Sequence, residues 1–133
     1  MRRPPEPPSA SALAERALLG SLLIDPFLWP LQAQLRPSDF GSHHRAAVLL
    51  AMRAVNASRR PVDDLILVLA ELERSGVAPP AGKGWAESLA SLLDGDYLAE
   101  ESRVQEYVRV IREAAAERRA ARRHGLVAVE RAS

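Results

Sequence analysis

A chain of 133 residues supplies one modest core rather than two, and 47% hydrophobic with 26% charged residues is the balance of a soluble globular domain. A net charge of +1, from 18 basic and 17 acidic residues, argues against nucleic-acid binding as the main activity. The absence of cysteine excludes disulfides and thiolate metal sites, so a reducing, cytoplasmic compartment is expected.

Residues 1–10 hold two Pro-Pro pairs in RRPPEPP and predict a disordered, proline-rich arm without the apolar run of a signal peptide. Ser11 suits the cap of a first helix, with Glu15 early in it and Ala14, Leu18, Leu19, Leu22 and Leu23 turned to a core. Asp25-Pro26 breaks that helix and opens a second, from which Phe27, Leu28, Leu31 and Leu35 are expected to face inward. Pro30 predicts a kink or a late start there. Arg36 to Phe40 reads as a turn.

Ser42 caps a third helix to about Ala57, with Val48, Ala51, Met52 and Val55 at helical spacing. Asp63 or Asp64 caps a fourth, striped by Leu65, Val68, Leu69 and Leu72 and stopped at Gly76. Val77 to Gly84 is a loop, and a fifth helix spans roughly Trp85 to Leu93. In the last helix Ser102 and Gln105 form a capping box, and Val104, Val108, Ile111 and Ala115 recur at steps of 4, 3 and 4. Beyond Ala116 the apolar face gives way to Glu117, Arg118, Arg119, Arg122 and Arg123, and Gly125 is the expected stop. The fold class is therefore all-α, a compact six-helix domain over residues 11–116 with a basic tail over 117–133. The longest apolar stretches, such as Leu65 to Ala70, are too short to cross a bilayer, so no membrane role is expected.

No catalytic motif is legible. Gly82-Lys83-Gly84 has Val77 where a phosphate loop needs its first glycine, Gly84 where it needs Ser or Thr, and prolines in place of the strand. His43 and His44 diverge by about 100° on a helix, without a further ligand at metal spacing. No cofactor, metal or catalytic residue is therefore assigned. Arg118 to Arg123 reads as a solvated helix end complementing the dipole, or as a contact for phosphates or an acidic partner.

Four blocks in order resemble the N-terminal domain of DnaB-type replicative DNA helicases. They are Ala14-Glu15 through Leu18-Leu19-Gly20-Ser21-Leu22-Leu23-Ile24-Asp25-Pro26, then Leu35-Arg36-Pro37-Ser38-Asp39-Phe40, then Pro61-Val62-Asp63 with Leu72-Glu73-Arg74-Ser75-Gly76, and last Tyr107-Val108-Arg109-Val110-Ile111-Arg112-Glu113. The chain departs from the family at Gly41, where an aromatic is usual, at Arg45 in place of histidine, at the extra residue in Asp63-Asp64, at Lys83 between two glycines, and at Arg103 in place of asparagine. These departures resemble those of a diverged copy.

The resemblance implies a fold ending in a long helical hairpin and a non-catalytic replisome module that forms homo-oligomers, builds a collar on the helicase ring and docks the C-terminal domain of primase. The hairpin maps to about Trp85 to Arg119, with its tip at Asp94 to Ser102. On it Trp85, Leu89, Leu92, Val104, Tyr107, Val108 and Ile111 are the candidate partner and self-association face. Arg118, Arg119, Arg122 and Arg123 are candidate linker or nucleic-acid contacts, with DNA at most a secondary partner. A chain ending at Ser133 without a motor leaves two alternatives, a stand-alone copy regulating the resident replicative helicase and a small DNA-binding regulator using its basic C-terminal helix.

Overall fold

The computed structural model describes residues 9–95, 97 and 99–132, with the backbone alone over 126–132. All regular structure among them is helical. Five α-helices, α1 (Ala10–Ile24), α2 (His43–Ala57), α3 (Leu65–Ser75), α4 (Trp85–Leu93) and α5 (Glu101–Ala132), are joined by two 3₁₀ helices, η1 (Pro26–Gln32) and η2 (Pro37–Asp39). The six expected helices are thus present, the second of them as η1. Most of the expected proline-rich arm lies outside the described residues.

α1 is the hub. The Oγ of Ser9, rather than Ser11, caps it by accepting the Ala12 N–H at 3.1 Å. Nine of its 15 residues are buried, Ala14, Glu15 and every residue from Ala17 to Leu23, so no single apolar stripe faces the core. A helix covered on nearly all sides must be packed around, and α2, α4, α5 and η1 all rest on it. α3 closes the far side by packing on α2 and α4. The core that results is aliphatic, with Leu18, Leu19, Leu22, Leu49, Met52, Leu72, Leu89 and Ile111 almost wholly sealed.

Pro30 explains why the second helix is 3₁₀. An α-helix starting at Pro26 needs the Pro30 N–H to reach the Pro26 carbonyl, and proline has no N–H and crowds that oxygen. Tightening to three residues per turn removes the conflict. It also corrects an expectation about Phe27. At three residues per turn Leu28 and Leu31 share the inner face, while Phe27 is carried outward and is 89% exposed. Arg53 on α2 holds the end of η1, donating from Nε to Gln32 Oε1 at 2.7 Å and from Nη2 to the Gln32 and Leu35 carbonyls at 3.1 and 2.6 Å.

Two other expectations at helix ends are corrected. Ser102 lies inside α5, which begins at Glu101, and the Val104 N–H bonds to the Glu100 carbonyl at 2.9 Å. Gly125 does not stop α5, which runs on to Ala132 and is about 48 Å long. One glycine costs a helix about 0.5–1 kcal/mol, which the alanine-rich flanks tolerate, and nothing lies within 4 Å of its missing side chain. The caps of α3 are as expected. Asp64 Oδ1 accepts the Ile66 and Leu67 N–H groups, and Gly76 closes the helix at φ 73°.

Gly20, within the LGSLL block, has a packing reason. Tyr97, between α4 and α5, lies over α1 there, and its hydroxyl donates to the Leu92 carbonyl at 2.6 Å. A Cβ on Gly20 would overlap that hydroxyl and that carbonyl. Gly20→Ala is therefore expected to expel Tyr97 and destabilise the domain by about 1–3 kcal/mol. Urea unfolding followed by far-UV circular dichroism measures this, and an unchanged midpoint would refute the packing account.

Candidate interaction surface

The structure turns most of the expected partner face inward. Trp85, Leu89, Leu92, Val104, Val108 and Ile111 are buried within the chain, and of the seven residues only Tyr107 is half-exposed. Helical spacing marks an apolar stripe but does not say whether the stripe meets its own chain or another. Here α1 fills the space against α4 and α5, so these side chains belong to the core. The Trp85 indole is fixed further by donating from Nε1 to the Val77 carbonyl at 3.0 Å.

What remains outward is a groove of about 530 Å³ over the same helices, lined mainly by apolar side chains. Leu13 of α1, 53% exposed, forms one wall, with Tyr107 and Val110 of α5 opposite and Tyr97 at the end. Burial holds the Tyr97 phenol above its ordinary pKa, and nearby Tyr107 adds to the effect. A wider groove of about 760 Å³ runs between α5 and η1. Its lining is mixed, and three of its arginines, Arg109, Arg112 and Arg119, are engaged. Arg112 donates to Gln34 Oε1 at 2.7 Å, and Arg109 pairs with Glu106 and Glu113 at 3.1 and 3.8 Å.

The basic helix end divides into two parts. Arg118 donates to the Asp39 carbonyl at 2.8 Å, while Arg119 reaches Asp39 Oδ1 at 2.6 Å and Ser38 Oγ at 3.3 Å. These two arginines therefore clasp α5 to η2 beyond the point where its apolar stripe ends. Arg122 and Arg123 are exposed, without an ion pair among the described residues.

Asp39 is 4% exposed and answers to both sides of the clasp, since its Oδ2 also accepts the Arg36 N–H at 2.9 Å. Burial alone would raise its pKa. The Arg36 hydrogen bond and the Arg119 guanidinium outweigh that and hold it below the ordinary 3.8.

Beneath the clasp lies Glu15, 1% exposed. Its Oε2 accepts the Gly41 N–H at 2.9 Å and its Oε1 accepts Arg45 Nε at 2.8 Å. Its place early in α1 suits the helix dipole, but a partner 30 residues away leaves no signal along the sequence. Only the apolar residues around it, at positions 14 and 17–19, hinted that this carboxylate points inward. Among the described residues no group of three or more His, Asp or Glu side chains could hold a metal, and no helix is long and apolar enough to cross a membrane.

The class that the fold defines is an all-helical module built on a buried α1, a proline-forced 3₁₀ turn and a long terminal helix. Residues 7–113 match the family model described as DnaB-like helicase N terminal domain, and the chain belongs to that family. Among solved structures it is similar to the crystal structure of the N-terminal domain of DnaB helicase from Mycobacterium tuberculosis, with a TM-score of 0.78 and 26% sequence identity over 91% of this chain and 85% of that one. A search of curated proteins gives no match.

Two outcomes are expected from the polar network. Arg45→Ala leaves a buried carboxylate without its cation and should cost about 3–5 kcal/mol. The double variant Glu15→Leu with Arg45→Met should cost less than Arg45→Ala alone, and equal losses in denaturant titrations would count against a paired charge. For Asp39 the folded pKa is lowered, so the folded chain binds that proton less readily than the unfolded one. Its stabilisation is full above about pH 4 and fades as pH falls below the ordinary carboxylate range. Asp39→Asn should therefore flatten the acid limb of melting temperature against pH, and an identical limb in both proteins would sink the clasp.

Proposed function

We propose that this chain is a non-catalytic interaction module of the replicative helicase machinery, pairing with a second copy through the groove between α1 and α5 and docking the C-terminal domain of a primase. Membership of the DnaB N-terminal domain family supports a helicase module. The observation that carries the pairing is the apolar groove flanked by Leu13, Tyr107 and Val110, which runs beside the helices that the resemblance assigns to the hairpin. An apolar groove along a helix suits the apolar face of another helix. A stable pair needs on the order of 1,000 Å² of buried surface or more. α5, at about 48 Å, has the length to contribute much of it.

The division of labour follows from burial. Val104, Val108 and Ile111 stiffen α5 from beneath, and the outward Leu13 and Val110 make the contact. The residues beyond Ala116 serve as a linker-like tail that α5 carries away from the domain. The DNA-binding alternative is weakened by the clasp, because Arg118 and Arg119 are already engaged on η2 and only Arg122 and Arg123 are left to reach phosphates.

Sedimentation velocity tests the pairing. The wild-type chain is expected to self-associate with rising concentration, and Leu13→Glu and Val110→Glu to remain monomeric with unchanged circular dichroism. A wild-type monomer at several hundred micromolar would overturn the pairing. Calorimetric titration with the C-terminal domain of the same organism's primase tests the docking. Saturable heat supports it, and silence at high concentration removes primase as the partner.

A further inference from the structure

A further cavity, of about 330 Å³, adjoins the apolar groove at Arg16, Ser91 and Leu92 and lies between the first turn of α2, the loop before α4 and the first turns of α4. Arg16 of α1, Arg45 and His44 of α2 and Lys83 of the loop line it, and among the described residues that do so none is acidic. In a chain whose charges nearly cancel, this is a local concentration of positive charge. The groove along α5 shows the contrast, since there each basic group named above meets an acid or an amide. Among the described residues only Arg45 of these is paired, with Glu15. His44 responds to the same field. Burial first, then the positive charges of His43 and Arg45, lower its pKa.

Two further features point to a missing acceptor. α4 opens at Gly84, whose cap makes no side-chain hydrogen bond, so its first N–H groups lack partners within the helix. The acid of that turn, Glu87, does not line the cavity. One turn on, Ser88 does line it, and its buried Oγ has no hydrogen-bond partner among the described residues. Burying an unpaired hydroxyl is unfavourable unless something supplies the bond. Arg16 and Arg45 come from α1 and α2, so their charge is an observation separate from the uncapped start of α4 and the Ser88 hydroxyl.

We propose that this cavity is a binding site for the phosphate group of a small ligand, held by Lys83 and Arg16, the opening turn of α4 and the Ser88 hydroxyl. A tetrahedral anion of two or more charges takes donors from several directions at once. An ammonium, a guanidinium fork, helix N–H groups and a hydroxyl make such a set. The site is not a phosphate loop, for Val77 stands where that motif needs glycine and a loop replaces its strand. The cavity exceeds the volume of a bare phosphate, so it has room for a phosphoester with part of its carrier.

Calorimetry on the whole chain with inorganic pyrophosphate tests the site, and His44 ring signals in proton NMR give an independent readout. Binding is expected to saturate in the sub-millimolar to millimolar range at low salt and to move the His44 signals. Lys83→Ala and Arg16→Ala change exposed side chains and should keep the wild-type melting temperature while weakening binding about tenfold each. Ser88→Ala should also weaken it without destabilising the free chain. A nucleoside monophosphate arm separates sources. Tighter binding than inorganic phosphate assigns a nucleotide's phosphate, and weaker binding assigns the free anion. No binding at 10 mM-scale pyrophosphate (roughly the weak limit of specific recognition) overturns the proposal. So does equal affinity in the Lys83→Ala/Arg16→Ala double variant, or equal affinity for citrate.

Discussion

The buried carboxylate of Glu15 constrains more of this molecule than any single apolar contact does. A charge at 1% exposure is tolerated only where a cation and hydrogen bonds replace water, and its two oxygens are answered by Arg45 Nε and the Gly41 N–H. Both partners lie across the chain from α1, at the start of α2 and in the turn just before it. Satisfying Glu15 therefore fixes where the Phe40–Ser42 turn sits, and with it the direction in which α2 departs. The charge pair sets the register, and the same turn then presents Asp39 to the arginines of α5.

That chain of polar contacts divides the work along α5. Up to Ala115 the helix is held by apolar burial, through Val104, Val108, Ile111 and Ala115. Past it the hold passes to two guanidinium groups on one turn, and then to nothing among the described side chains. Stabilisation by burial acts over area, whereas a clasp of two hydrogen-bonded arginines acts at a point. The helix is thus rigidly seated for its first four turns, pinned once, and then carried outward by its own backbone bonds. A linker-like tail needs this gradient, because a segment bound all along its length cannot transmit position to anything beyond it.

The helical class, the helix order and the position of most core residues were legible in the sequence because α2, α3 and α5 carry apolar residues at 3.6-residue spacing, and because Asp64 and Gly76 announce their helix ends. Three kinds of feature were not legible. Pro30 signalled a disturbance, but that it converts the segment to 3₁₀ and so turns Phe27 outward depends on how the segment meets α1 and α2. The ion pairs of Glu15 and Asp39 were not legible because their cations lie 30 and 80 residues away. The apolar stripe of Trp85, Leu89 and Leu92 could not declare its partner, since self-burial and association demand the same residues at the same spacing.

The arginines make the same point about placement. Composition offered a chain rich in arginine with no net charge to speak of, and a basic run near the end drew attention first. In three dimensions half of that run is engaged on η2, and in the groove along α5 Arg109 is paired with acids while Arg112 is held by the Gln34 amide. The positive field that is left collects instead around α4's first turn, from residues 16, 45 and 83, which no window along the sequence would group. A local excess of charge at an uncapped helix start arises from the topology that brings α1, α2 and the α3–α4 loop together. The family's packing around α1 creates that junction, so any selectivity for an anion there rests on the same hub that orders the core.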